Sequence, residues 1–259
     1  MKIAFSVIRL LILIGLCLLG IMPIAAQYDA ESGYTEALRR IEEARVNEAL
    51  ELDLSSLELE AVPPEIGTLN KLSVLNLSFN QLADLPSEIG TLTSLTQLYL
   101  NGNQLTTLPL HPSQLSKLET LDVSYNQLAA LPPALNTLSN LRNLILESNH
   151  LTTLPDGLGR LSQLTLLNLN ANKLTALPVE LGQLENMEIF LFGENPLTFP
   201  TIEIQQQGGL VVLNYLRDYQ LVLMRPIVIT LAAGIGGLVI FILAFRWRQR
   251  RAFTKKKRL

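Results

Sequence analysis

The chain has 259 residues, of which 48% are hydrophobic, and a formal net charge of -3. All 23 acidic residues lie between residues 29 and 218, and only ten basic residues lie between residues 39 and 225, so the central part, residues 29–225, carries a formal charge of -13. Binding to nucleic acid requires a basic surface, so the central part is not predicted to bind it.

Residues 1–26 have the features of a secretory signal peptide. Lys2 and Arg9 supply the positive start, an apolar run covers residues 10–22, and Ile24-Ala25-Ala26 is a plausible cleavage site. An uncleaved membrane anchor is the alternative interpretation. Both interpretations send the following residues across the membrane.

Residues 27–48 are predicted to form an N-terminal helical cap. In the helix, Tyr34, Leu38, Ile41 and Ala44 fall roughly on one face, and charged residues cover the others. Copies of a repeated unit follow this helix, and a stack of such copies needs its open end covered. Animal extracellular repeat proteins usually use caps clamped by cysteines, so the absence of cysteine here favours a prokaryotic source.

Residues 49–200 contain seven copies of a 23-residue unit, the clearest of which runs from Leu72 to Ser94. Its frame is Leu-x-x-Leu-x-Leu-x-x-Asn-x-Leu-x-x-Leu-Pro. The alternation in Leu75-Asn76-Leu77 predicts a strand with leucines inward and Asn76 outward. We expect the repeated asparagine to be buried and to bond open backbone groups. The Leu-Pro step is predicted on the return side, because Pro cannot donate to a strand ladder. The asparagines are Asn80, Asn103, Asn126, Asn149, Asn172 and Asn195.

This frame resembles the leucine-rich repeat family over roughly residues 34–220, and its Leu-Pro-x-x-Ile-Gly variety (residues 85–90) is similar to bacterial repeat proteins. The resemblance implies an α/β fold: a right-handed, curved solenoid with a parallel sheet on its concave face, an N-terminal helical cap and a C-terminal cap helix. It also implies protein-protein interaction without naming a partner. The flanks are similar to those of some Roco-type proteins, but no GxxxxGK[ST] phosphate loop is present.

Residues 201–224 are predicted to form the C-terminal cap helix, with Leu210, Leu213 and Leu216 against the last repeat. Pro226–Phe245 then provides twenty uncharged residues, enough for a transmembrane helix. Residues 246–259 contain eight basic residues and no acidic one, which predicts a cytoplasmic tail and extracytoplasmic repeats in a single-pass cell-membrane protein. A stripe of small residues in the span suggests weak self-association; its members are Thr230, Ala233, Gly234 and Gly237.

No catalytic, cofactor or metal motif is present, so the sequence predicts a protein that is not an enzyme and needs no cofactor. His111 and His150 are interpreted as surface histidines. Phe79 and Tyr125, just before the repeated asparagine, are interpreted as packing residues.

The outward strand positions are the candidate binding site. Their two columns contain three acidic residues, no basic residue and an apolar group near the C-terminal end, where Ile189 and Leu191 lie. The alternative is that these two residues pack under the C-terminal cap. We expect a basic and apolar protein surface to cross a row of side chains on the concave face. The predicted contact residues are Tyr99, Asp122, Ile145, Asn76, Asn168 and Leu166.

The sequence therefore predicts a membrane-anchored display module for protein-protein interaction. One alternative is an envelope or adhesion scaffold that binds glycan or cell wall. Another is an accessory subunit of a membrane enzyme.

Overall fold

A computed structural model describes residues 33–108 and 115–224 of the chain. These residues form a solenoid whose single sheet has seven parallel strands in sequence order. Each strand pairs with the next at a register of 23 residues, as in Leu75 with Leu98. The strands are β1 Glu51–Asp53, β2 Val74–Asn76, β3 Gln97–Tyr99, β4 Thr120–Asp122, β5 Asn143–Ile145, β6 Leu166–Asn168 and β7 Ile189–Leu191.

The middle residue of each strand points inward and is buried, while the two flanking residues point outward, as the alternation predicts. The inward leucines of successive copies stack into one continuous core, because no copy can bury its own leucines alone. At β7 a phenylalanine, Phe190, replaces the inward leucine and remains buried. The leucine-rich repeat solenoid with its parallel sheet is thus confirmed.

The repeated asparagines bond the backbone of two adjacent copies, as predicted. In Asn126, Oδ1 accepts a hydrogen bond from the Leu105 N–H at 3.0 Å, and Nδ2 donates to the carbonyl oxygens of Leu100 and Val123. Equivalent bonds form at the other five asparagines. Each amide therefore satisfies polar groups that the core would otherwise leave without water or a partner.

The Leu-Pro step begins a short 3₁₀ helix on the return side. Proline precedes or opens each of these helices because its fixed φ suits a first turn and its missing N–H is not needed there. In the described part of the chain they are Pro64–Thr68, Ser87–Thr91, Pro133–Thr137, Asp156–Arg160 and Val179–Gln183.

Helix α1, Gly33–Val46, covers the first repeat. It buries Ala37, Ile41 and Ala44, whereas Tyr34 is exposed, so the predicted inner face was wrong at its first position. Ala37, Ile41 and Ala44 are spaced four and three residues apart, so they share the inner face, and Tyr34 in the first turn is not part of it.

Charged side chains hold α1 to the sheet. Glu36 accepts hydrogen bonds from Arg39 and Arg40, which lower the pKa of its carboxyl to about 2. Arg40 in turn donates to the Asp53 carbonyl oxygen at 2.9 Å, which joins the cap to β1.

The C-terminal cap consists of α2, Ile202–Gln205, and α3, Gly209–Met224. Helix α3 buries Val212, Leu213 and Leu216, whereas Leu210 is exposed, so the predicted face was wrong at that residue. The reason is the adjacent Gly209, which lies against the Phe190 backbone and turns Leu210 away from the core. The predicted signal peptide, transmembrane span and basic tail lie outside the described residues. Among residues 33–108 and 115–224, no helix is both long and apolar enough to cross a membrane.

Candidate functional site

The outward strand residues form two straight columns, which we call the outer sheet face. The parallel register places Tyr99 beside Asp122 and Asp122 beside Ile145. The first column is Glu51, Val74, Gln97, Thr120, Asn143, Leu166 and Ile189, and the second is Asp53, Asn76, Tyr99, Asp122, Ile145, Asn168 and Leu191. A partner that lies across the strands can therefore contact several copies at once.

Tyr99, Asp122 and Ile145 are half-buried, because neighbouring copies shade one another on the sheet. The Tyr99 hydroxyl donates to Gln97 Oε1 at 2.8 Å, which fixes the ring along its own strand. Asp122 Oδ1 accepts from both the N–H and the hydroxyl of Ser124. The row predicted from the sequence is thus a set of neighbouring, oriented side chains.

Asn76 and Asp122 have the same local geometry. Asn76 Oδ1 accepts from the Ser78 N–H at 3.0 Å, as Asp122 Oδ1 accepts from the Ser124 N–H at 2.9 Å. Either side chain therefore accepts the N–H bond that closes this turn. The two copies differ in charge and in the serine hydroxyl, which donates to Asp122 in one copy and to Asn101 in the other.

Asn168 is less available to a partner than the sequence predicts. It is buried, its Oδ1 accepts from the Asn170 N–H, and its Nδ2 donates to Glu147 Oε2 at 2.9 Å. Leu166, in the other column of the same strand, remains half-buried. The two side chains thus differ: Asn168 has its polar groups satisfied, and Leu166 offers apolar surface.

The last strand exposes two large apolar side chains. Ile189 is 46% exposed and Leu191 42% exposed, so they do not pack under the C-terminal cap. Leu166 pairs with Ile189, and Ile145 is separated from Leu191 only by Asn168. We call Ile145, Leu166, Ile189 and Leu191 the apolar end of the outer sheet face.

Two aromatic residues at the edge of the sheet are also exposed. Phe79 is 63% and Tyr125 56% exposed, so the interpretation as packing residues was wrong. Both have positive φ, like Gly102 at the same position of the copy between them. This turn needs a left-handed residue, which forces the side chain outward into solvent. In the sequence, the glycine at this repeat position, Gly102, indicated the left-handed conformation.

No group of three or more histidine, cysteine, aspartate or glutamate side chains that could hold a metal ion occurs within the residues that the structure describes. His150 is exposed, as predicted, and His111 falls in the gap after residue 108. The outer sheet face thus offers binding groups and no metal centre.

Comparison with known proteins identifies the repeats. Family profiles match residues 50–105 ("Leucine rich repeat"), residues 93–137 ("Leucine Rich repeats (2 copies)") and residues 140–161 ("Leucine Rich Repeat"). No curated protein matches the chain significantly. Leucine-rich repeats are therefore confirmed in this chain from the sequence and from the fold.

Solved structures with the same fold come from several organisms. A leucine-rich repeat protein of Leptospira interrogans is 34% identical, with a TM-score of 0.51 over 63% of this chain and 48% of its own. An internalin of Listeria monocytogenes is 22% identical, with a TM-score of 0.54 over 60% of this chain and 44% of its own, and shows the fold alone.

A third similar structure is the ectodomain of a plant membrane receptor kinase from Arabidopsis thaliana, solved in complex with CASPARIAN STRIP INTEGRITY FACTOR 2. It is 32% identical, with a TM-score of 0.52 over 59% of this chain and 20% of its own. The chain thus spans less than half the length of each of these three proteins.

Proposed function

We propose that this chain is a bacterial-type, membrane-anchored display protein that binds a protein partner on its outer sheet face and is not an enzyme. The observation that carries the proposal is the apolar end of that face, where Ile189 and Leu191 stay exposed although the fold has no need of them there. Exposed apolar groups in a continuous patch mark contact sites.

The chemistry of the face suits a protein or peptide partner. Tyr99 offers a large, oriented ring of the type enriched at binding hot spots. Asp53, Asp122 and Glu51 give the two columns negative charge without any basic residue. The partner is therefore expected to present basic and apolar groups. The similar plant receptor ectodomain, with its bound protein factor, supports this class of partner.

The membrane anchor in this proposal is Pro226–Phe245, which carries no charged residue and is followed by the basic residues 246–259. In this proposal the repeats lie outside the cytoplasm and the C-terminus lies inside it, as the positive-inside rule favours. The stripe Thr230, Ala233, Gly234 and Gly237 would allow two such spans to approach closely.

Photocrosslinking in intact cells tests the binding face. A photoreactive phenylalanine analogue at Tyr99 is expected to crosslink a discrete partner, which mass spectrometry then identifies. The same analogue at Ser139, exposed on the return side, serves as the matched control. Equal crosslinking at both positions contradicts the proposal. Crosslinks from Tyr99 to wall polysaccharide alone favour the glycan-binding scaffold instead.

The contribution of the Asp122 charge to binding can be tested by a substitution that keeps the local structure. Asp122→Asn keeps the Oδ1 acceptor for the Ser124 N–H, because Asn76 already makes the equivalent bond in its own copy. We expect the variant to keep its thermal stability and to bind the crosslinked partner more weakly, most clearly at low salt, where screening is least. Unchanged affinity at low salt would show that the charge of Asp122 does not contribute to binding of the partner.

Protease accessibility tests the topology. Protease added to intact cells, with any outer membrane permeabilised, is expected to degrade the repeats and to spare a tag placed after Leu259. Protection of the repeats overturns the extracytoplasmic assignment.

A further inference from the structure

The two caps of the solenoid have outer faces of opposite character. Helix α1 turns charged side chains to solvent, among them Arg39, Glu42, Glu43 and Arg45. Helix α3 instead exposes Leu210, Val211, Leu221 and Val222. Terminal caps normally need a polar outer face for solubility. α1 meets that requirement, and α3 does not.

The exposed apolar residues of α3 lie at its two ends. Asn214 and Asp218 are exposed between them, so the outer face has no continuous apolar stripe. Leu221 is 55% exposed and Val222 62% exposed, in the last turn of the helix. This turn therefore carries an uncovered apolar surface of its own.

We infer that the last turn of α3, with Leu221 and Val222, lies in the headgroup region of the membrane. The inference rests on the proposed span, which begins only four residues after Val222. Four residues reach about 6 Å as a helix and about 14 Å when fully extended. The headgroup region is about 5–8 Å deep on each side of the hydrocarbon core. A helical connection to the span therefore keeps Val222 within the headgroup region, where its apolar side chain is covered, whereas a fully extended one would carry it into water.

Aromatic packing beside this turn fits the same environment. The rings of Tyr215 and Tyr219 stack with centroids 6.0 Å apart, and Tyr219 also contacts Phe199 at 5.2 Å. Tyr219 lies one turn before Val222 and is half-buried. Tyrosine is enriched at the membrane–water interface, because its ring is apolar and its hydroxyl is polar.

Lipid explains this surface better than a second copy of the chain. An antiparallel pair of α3 helices that matched both apolar ends would bring Asp218 of each copy close to the two-fold axis. Two like charges there oppose association. Insertion of the last turn alone leaves Asp218 in water, about 6 Å further from the membrane along the helix axis.

The chain offers a matched pair of labelling sites. Val211 and Val222 are both exposed valines on nearly the same side of α3, about 16 Å apart along its axis. Cys17 is the only cysteine in the sequence, so Cys17→Ser with either Val211→Cys or Val222→Cys gives one reactive thiol. The full chain is reconstituted in phosphatidylcholine vesicles and labelled with an environment-sensitive fluorophore.

We expect the label at position 222 to emit at shorter wavelength and to be quenched when the acyl chains are brominated near the headgroup. The label at position 211 is expected to show neither effect. Equal emission and equal quenching at the two positions overturn the inference. A blue shift at 222 without quenching by brominated lipid also overturns it, because protein then covers the side chain. Extraction of the chain from membranes by alkaline carbonate would instead refute the proposed span, so the two failures are distinguishable.

Discussion

Replacement of Asn126 is the most direct test of the hydrogen bonds that hold adjacent copies together. Its amide bonds the backbone of its own copy and of the preceding one, and the side chain is buried. Asn126→Ala removes the partner of the Leu105 N–H, for which no other acceptor is present in the described structure. A buried donor left without a partner costs about 1–3 kcal/mol.

Three carbonyl oxygens also accept hydrogen bonds from Asn126 Nδ2, and each of them keeps another donor. Leu100 O still accepts from Asn103 Nδ2, Val123 O from Asn149 Nδ2, and Ser124 O from the Gly102 N–H. Losing the second bond at each oxygen adds about 1 kcal/mol in total. The expected decrease in the free energy of unfolding is therefore about 3 kcal/mol, measured by urea denaturation of the full chain in detergent.

Asn195 provides the matched control, because it makes the same bonds in the last copy but is partly exposed. Water can replace its amide, so Asn195→Ala is expected to cost about 1 kcal/mol. A loss for Asn126→Ala no larger than that for Asn195→Ala would refute the argument that burial sets the value of this bond.

Two further predictions concern the caps. Gly182→Ala places a Cβ atom 2.6 Å from Arg217 Cα, so α3 must move away, and we expect a loss of about 1–3 kcal/mol by urea denaturation. Gly193→Ala, whose nearest neighbour is Asn170 Oδ1 at 3.3 Å, is expected to cost much less, and equal losses would contradict the close approach. Glu36 has a pKa of about 2 when folded and an ordinary value of 4.5, so its contribution to stability is present above pH 4.5 and is lost as pH falls towards 2. The urea midpoint should fall more between pH 7 and pH 3 in the wild type than in Glu36→Gln, and parallel curves would show that this carboxyl does not stabilise α1.

The core of the solenoid was predictable because every copy repeats the same constraint. The leucines of Leu75-Asn76-Leu77 and the buried asparagine recur every 23 residues, so a match by chance over all copies is very unlikely. The position of the Leu-Pro step on the return side was predicted as well, and there it begins the short 3₁₀ helices. Repetition supplies the statistical weight that a single element lacks.

The caps were less predictable because each occurs only once. Helix periodicity placed Tyr34 and Leu210 on inner faces, but α1 buries Ala37 instead, and in α3 the backbone approaches Phe190 closely at Gly209. Side-chain size at such a contact outweighs an approximate apolar stripe. The helical period of 3.6 residues does not determine which of two neighbouring faces packs against the repeats.

The outer sheet face shows a second limit of sequence reasoning. Asn168 was predicted to be free for a partner, yet Glu147, 21 residues earlier, accepts a hydrogen bond from it. Phe79 was predicted to pack, yet a left-handed backbone turns it outward. Both outcomes depend on contacts or dihedral angles that the repeat consensus leaves open.

The repeat constrains inward and outward positions very differently, and this difference bears on function. An inward leucine must fill the space between neighbouring copies, so its identity reports packing. An outward residue of β1 or β7 is free of that demand: β1 carries Glu51 and Asp53, while β7 carries Ile189 and Leu191. The same fold accommodates both pairs, so packing does not account for the change from acidic to apolar along the face. Binding of a partner with basic and apolar groups would account for this change from acidic to apolar residues along the outer sheet face.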